Sequence, residues 1–366
     1  MNLIEHLTVV EETRSDINKK HDLVDVIFLV ISAIMAGAEG WQDIQLYGES
    51  KEDWLRQYRP FKNGIPKRHT IARILKSVVA ESLLEALLNW VNEQRQTAGK
   101  QVIALDGKVL RGSYRGDKKT ALQLVTAYDT ESGLVLSQQS TETKQGEISV
   151  VRQMLEVLDI KGSVITVDAL HCQRQTLETI AAKKADVVVQ VKKNQPKLYQ
   201  AVTEQFQRVF DAGKEQVVTE VKQQAHGRTE TRIVYQLKPK LDEALTARWP
   251  TIRSIIAVER HRACGGKTSI DTSYYVSSMS PKHKLLGHYI RQHWRIENGQ
   301  HYVLDVVFKE DSSRICLDGA VENMALFRRF VMNMLKQCEC GLPSQRSKLK
   351  TAGWNDKFRA QVFFGL

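Results

Sequence analysis

Cysteine is scarce in this chain: five in 366 residues, an odd number. That excludes a disulfide framework and points to a reducing compartment. Cys338 and Cys340 stand one residue apart, tighter than zinc-ribbon spacing, and His261 with Cys264 offers half a site with no second half nearby. No structural zinc is therefore expected. Long apolar runs are missing too. The most apolar stretch, Val26 to Met35, falls far short of the roughly 20 residues a membrane span requires and reads as a buried helix. The first residues, MNLIEHLTVVEETRSDINKKHD, carry acids early and no basic leader region, so no signal peptide is expected. Repeats and low-complexity tracts are absent. The expectation is a cytoplasmic protein with no membrane partner.

What is present is ordinary globular composition, 42% hydrophobic and 26% charged, with 53 Lys+Arg against 42 Asp+Glu and a net charge of +11. The length suggests two or three domains at roughly 100–200 residues each. The surplus of base favours polyanion partners, nucleic acid first and acidic membrane surfaces second.

Residues 1–97 read as helical. Leu23, Ile27, Val30, Ile31 and Ile34 recur at helical spacing, and Ile71 through Val91 form a second long apolar stripe. Beside it Lys67, Arg68, Arg73 and Lys76 make a basic cluster suited to phosphates, or a solvated helix face. From Lys100 three alternating runs read as consecutive antiparallel strands. A helix (Glu147–Leu158), a short strand ending at Asp168, a helix (Gln173–Lys183) and a buried strand (Val187–Val191) follow. The class is α/β, and the order β-β-β-α-β-α-β is that of an RNase H-like fold. The expected division is 1–97 for the helical domain and 98–196 for the first part of this core. A largely β insertion fills 197–280, and 281–366 supplies the last core helix and the C-terminal helices.

Asp106 closes the first strand and Asp168 the fourth; in this fold those strands are neighbours, so the two carboxylates share one site. In the following helical segment Ile290, Trp294 and Glu297 fall at i, i+4 and i+7, which places Glu297 on the core-facing side. A carboxylate there is costly to bury unless it holds a cation. Asp305, Glu310 and Asp311 are rivals for the third acid. Three carboxylates without a Cys/His set suit Mg²⁺ or Mn²⁺, two ions, and phosphate chemistry. Arg291 and Arg295 form a basic stripe beside Glu297, with Asn298 and His301 at the same end. His171 is a secondary candidate that could orient the attacking group or simply start a helix. His226 and Arg228, within the insertion, could contact DNA or line a charged strand face.

The strings IALDGK, TVDALHCQ, VKKNQP, HGRTETR, YYVSS and RQHWRIEN…VLDVVFKEDSSR resemble the ISAs-type, H-repeat-associated DDE transposases, in order from about residue 20 to 355. The resemblance implies a Mg²⁺-dependent triad of Asp106, Asp168 and Glu297 that cuts and rejoins DNA at terminal inverted repeats. It also implies an N-terminal domain for end recognition. The expected partners are double-stranded DNA ends and target, with a homodimer in the DNA complex, nucleoid association when bound and no small-molecule cofactor. Two departures stand out. The family's Arg four before and Lys seven after the last acid are His293 and Leu304 here, leaving Arg291 as substitute. Gly299-Gln300-His301-Tyr302 replaces an expected bulky residue and Trp. Two other readings use the same residues: an inactive or domesticated DNA-binding relative, and a stand-alone nuclease.

Overall fold

The computed structural model describes residues 3–94, 100–113, 121–141, 144–225, 227–315 and 319–365. The chain opens with α1 (Leu3–Leu7), α2 (Leu23–Met35), α3 (Trp41–Ser50), α4 (Glu52–Arg56), α5 (Arg68–Ser77) and α6 (Ala80–Gln94). Strand β1 (Val102–Val109), β2 (Gln123–Asp129) and β3 (Leu134–Thr141) follow, then α7 (Lys144–Val157), β4 (Val164–Val167), α8 (Arg174–Ala182) and β5 (Asp186–Val191). Next come α9 (Pro196–Asp211), β6 (Val217–Ala225), β7 (Arg228–Leu237), α10 (Glu243–Arg248), β8 (Ser254–Cys264), β9 (Lys267–Ser277) and α11 (Leu286–His293). A π-helical turn at Glu297–His301 leads into α12 (Tyr302–Val306), α13 (Ala320–Gln337), α14 (Gln345–Trp354) and α15 (Asp356–Phe364).

These elements form two compact units, each assembled from separated stretches of chain. One comprises Met1–Thr97, Gly107–Lys144 and Glu297–Leu366; the other comprises Ala98–Asp106 and Gln145–Ile296.

In the first unit α2 begins where the Asp22 side chain accepts from the Asp25 amide at 3.0 Å, an N-cap that satisfies one of the helix's open donors. Nearly every side chain of α2 is buried, which accounts for its unbroken apolar run. The stripe from Ile71 to Val91 is two helices rather than one. The backbone turns extended at Val78, which bridges Glu12, while the Thr13 amide bonds Ser77 O at 2.8 Å. A β-branched pair, Val78-Val79, interrupts the helix there because the extended bridge offers its backbone partners that the helix does not. Helix α13 is the buried centre, against α2, α5, α6 and β3. Its polar residues serve as backbone clamps. Asn333 exchanges two bonds with Val135 of β3 at 2.9 and 2.8 Å. Asn323 donates to Leu75 O and Val78 O, satisfying the open carbonyls at the end of α5.

In the second unit the strand order is β1-β4-β5-β9-β8-β7-β6. The β1–β4 and β4–β5 pairs are parallel, and the remaining pairs are antiparallel. Parallel strands covered on both faces read as continuous apolar runs, and Val164 to Val167 is wholly buried. Strands β8 and β9 are joined by a hairpin at Gly265-Gly266, both with positive φ (55° and 75°), the conformation such a tight turn needs. The mixed α/β architecture expected from the sequence is present; the stretch after β5 holds β6–β9 but also α9 and α10, two helices that were not expected there.

Candidate active site

The register of β1 against β4 pairs Leu105 with Val167. The next residue on each chain segment is an aspartate, so Asp106, still inside β1 and not closing it as expected, and Asp168, just past the end of β4, stand in step on adjacent parallel strands. Strand β4 stops there because Asp168 turns the chain. Its Oδ1 accepts from the Leu170 amide at 3.0 Å and caps a short helical turn, Ala169–His171. Asp106 is half-buried, and the Asp168 side chain is 47% exposed.

Behind Asp168 the turn is held from three sides. His171 is fully buried, with Nε2 3.1 Å from Glu147 Oε1 on α7 and 3.7 Å from Asp168 Oδ1. Asn194 Nδ2 donates to Ala169 O at 2.6 Å, and Gln195 Nε2 donates to Cys172 O at 2.9 Å. These two amides, from the VKKNQP string after β5, clamp the chain on either side of His171. Burial pushes the Cys172 thiol up to about 12, so it offers no thiolate near neutral pH. The acids here present oxygen donors only, a set that fits a hard divalent cation. Sequence reasoning missed Glu147, Asn194 and Gln195; for the last two the string itself was the signal.

Helix α11 is fastened to β4 by His293, whose Nδ1 lies 3.2 Å from Thr166 Oγ1, two residues before Asp168. His293 thus occupies the place of the expected arginine with a structural bond of its own. Arg291 is exposed and donates to Gln223 Oε1 of β6 at 2.7 Å. Two expectations fail: Glu297 is not on a core face, its side chain being 52% exposed, and neither is Trp294. Trp294 is 53% exposed, whereas Ile290 and Ile296 are buried. Arg295 is exposed as well.

Glu297 opens the π turn of the first unit, with its side chain about half exposed and His301 Nδ1 3.7 Å from its Oε2. His301 is buried and Asn298 exposed. Gly299 is required by space. A Cβ there would stand 2.3 Å from the Tyr128 hydroxyl, so the bulky residue expected at this turn has no room.

The rival acids are otherwise engaged. Lys108, buried on β1, bonds Asp305, and its Nζ lies 3.2 Å from Glu310 Oε2 and 3.4 Å from Asp311 Oδ1. Glu310 also meets Arg329 at 2.7 Å. Burial works to raise the Glu310 carboxyl, but Arg329, Lys108 and Arg328 outweigh it and hold the group down at about 2. Burial dominates at Asp305 and lifts its carboxyl despite Lys108.

The basic candidates differ in what they already hold. Lys67 is paired with Glu49 at 2.6 Å, and Arg68 donates to Gln42 at 3.1 Å. Arg73 and Lys76 are exposed on α5 and form no ion pair among the described residues. Arg228 lies 3.7 Å from Glu230, which also engages Arg232 and Arg262. Burial would raise the Glu230 carboxyl, but those arginines hold it below the ordinary range. His226 lies outside the described residues.

Comparison with known proteins sets this geometry in a family. The model of the transposase DDE domain matches residues 97–334, and that of the associated N-terminal domain matches residues 4–91. The chain belongs to the DDE transposase family. It is 34% identical to "Putative transposase YncI" of Escherichia coli O157:H7, covering 99% of this chain and 94% of that one. It is 33% identical to "H repeat-associated putative transposase YhhI" of Escherichia coli K12, over 99% and 98%. The solved piggyBac transposase synaptic complex with hairpin DNA superposes with a TM-score of 0.42 at 11% identity, covering 99% of this chain and 76% of that one. Among the described residues no helix is long and apolar enough to cross a membrane.

Proposed function

We propose that this protein is an active transposase that binds the terminal inverted repeats of its own element, cuts them and joins them to target DNA. Asp106, Asp168 and Glu297 are its triad, in an RNase H-like core. The observation that carries the reading is the step-for-step placement of Asp106 and Asp168 one residue beyond the Leu105–Val167 pair. Glu297 is supported by its position in the chain, directly after the segment that His293 ties to β4. Two Mg²⁺ or Mn²⁺ ions held by these acids would supply an activated water or 3′-hydroxyl and a stabilised leaving oxygen. The chain's own part is to hold the carboxylates in place and to grip the phosphate backbone with Arg73, Lys76, Arg228, Arg291 and Arg295. Of the basic residues, Arg228 and Arg291 lie against Glu230 and Gln223, and Lys67 and Arg68 join by releasing Glu49 and Gln42; His226 is carried as a further contact. The helical segment 1–97 reads the element ends, the strands of 197–280 support the flanking DNA, and two copies act together on paired ends.

The test uses purified protein, labelled inverted-repeat ends and a target plasmid. Asp106→Asn, Asp168→Asn and Glu297→Gln should each abolish Mg²⁺-dependent cleavage while end binding without metal survives. A variant that cuts like the wild type removes its residue from the triad. Cut ends without joined products identify a nuclease; binding without either identifies a non-catalytic relative.

A further inference from the structure

Glu147 and His171 form a buried acid–imidazole pair that the proposed chemistry does not use. Glu147 is 5% exposed and His171 not at all. A carboxylate removed from water needs a donor, and the imidazole Nε2 at 3.1 Å answers that need. The same nitrogen stands 3.7 Å from Asp168 Oδ1, the oxygen that already accepts from the Leu170 amide. The single Nε2 proton serves Glu147, so the Leu170 amide is the donor on Asp168 Oδ1, while the buried carboxylate fixes the imidazole whose edge packs beside that oxygen. An acid behind a metal ligand can thus act through packing, by holding the imidazole that limits where the Asp168 carboxylate can turn.

We infer that Glu147 and His171 are positioning residues for Asp168, setting which carboxylate oxygen is turned toward a bound divalent cation. The inference rests on the metal reading of Asp168 given above. Loss of either partner frees the Asp168 carboxylate to rotate, which weakens cation binding without removing a ligand.

Titration calorimetry of the full-length protein with Mn²⁺ alone, with thermal melting alongside, tests this. The proteins compared are the wild type, Asp168→Asn, Glu147→Gln and His171→Gln. Glu147→Gln keeps a side chain of the same shape, so it should melt close to wild type yet bind Mn²⁺ about 10-fold more weakly. His171→Gln should do the same or worse, and Asp168→Asn should lose the site. If the wild type has an Asp168-dependent Mn²⁺ site and both Glu147→Gln and His171→Gln fill it with wild-type affinity, the positioning role is overturned while the metal reading stands. If the wild type has no such site, both fall. Should His171→Gln fail to fold, the Glu147→Gln affinity decides alone.

Discussion

Glu310 Oε1 lies 2.7 Å from Arg329 Nη1, and both side chains are almost completely withdrawn from solvent. With Lys108 on the other carboxylate oxygen, this is a buried charge network in which each member compensates the rest. Replacing Glu310 with Gln strands the buried Arg329, while Lys108 keeps Asp305 and Asp311, and should destabilise the protein by roughly 3–5 kcal/mol, read from urea unfolding.

The same network sets a pH dependence. The Glu310 carboxyl is lowered from 4.5 to about 2 on folding, so its contribution is complete above the unfolded value and declines as pH falls from about 4.5 through 2. Wild-type stability should drop across that window, and Glu310→Gln should show a shallower drop. Parallel slopes would deny Glu310 this role.

Gly299 offers a sharper steric test. An added methyl would stand 2.3 Å from the Tyr128 hydroxyl, so in Gly299→Ala either the buried Tyr128 ring or the turn that carries Glu297 must give. Cleavage should fall by about 10²-fold, the scale expected from a misplacement on the order of 1 Å. Gly299→Ala combined with Tyr128→Phe, which removes the opposing oxygen, should recover part of it.

Asn194→Ala removes one clamp on the turn after Asp168 and leaves Ala169 O without that donor. A cost of about 1–2 kcal/mol is expected in unfolding experiments, with a larger proportional loss in cleavage than in end binding.

Salt titration of DNA binding separates the basic residues. Removing one phosphate contact lowers the slope of log K against log salt by about one. Arg73→Ala and Arg291→Ala should each do so, whereas Lys67→Ala should change it less because Lys67 already holds Glu49. Equal effects at all three would refute that ranking.

How much of this was legible in the sequence follows from the physics of each element. Asp106 and Asp168 were readable because each ends an apolar run too short to be anything but a strand. The orientation of Trp294 was not readable. A 3.6-residue period carried from Ile290 to Glu297 assumes one unbroken helix, yet α11 ends at His293 and a wider π turn starts at Glu297. Glu147 looked like any acid in a first helical turn, because its partner is 24 residues away and nothing local announces the pairing. That Lys108 and Arg329 engage the rival acids was not readable either, because these partners lie far from them in the sequence.

The division of the chain has a bearing on how such a gene decays. One unit draws on three separated stretches and the other on two, with the seam between Asp106 and Gly107 falling inside a single strand. No one cut through the polypeptide releases either unit whole. A premature stop before the last helices strips the first unit of α13, its buried centre, and one before β4 leaves the second unit without most of its sheet. Truncated copies of the gene should therefore yield chains that cannot fold, rather than surviving fragments that compete with the full-length protein.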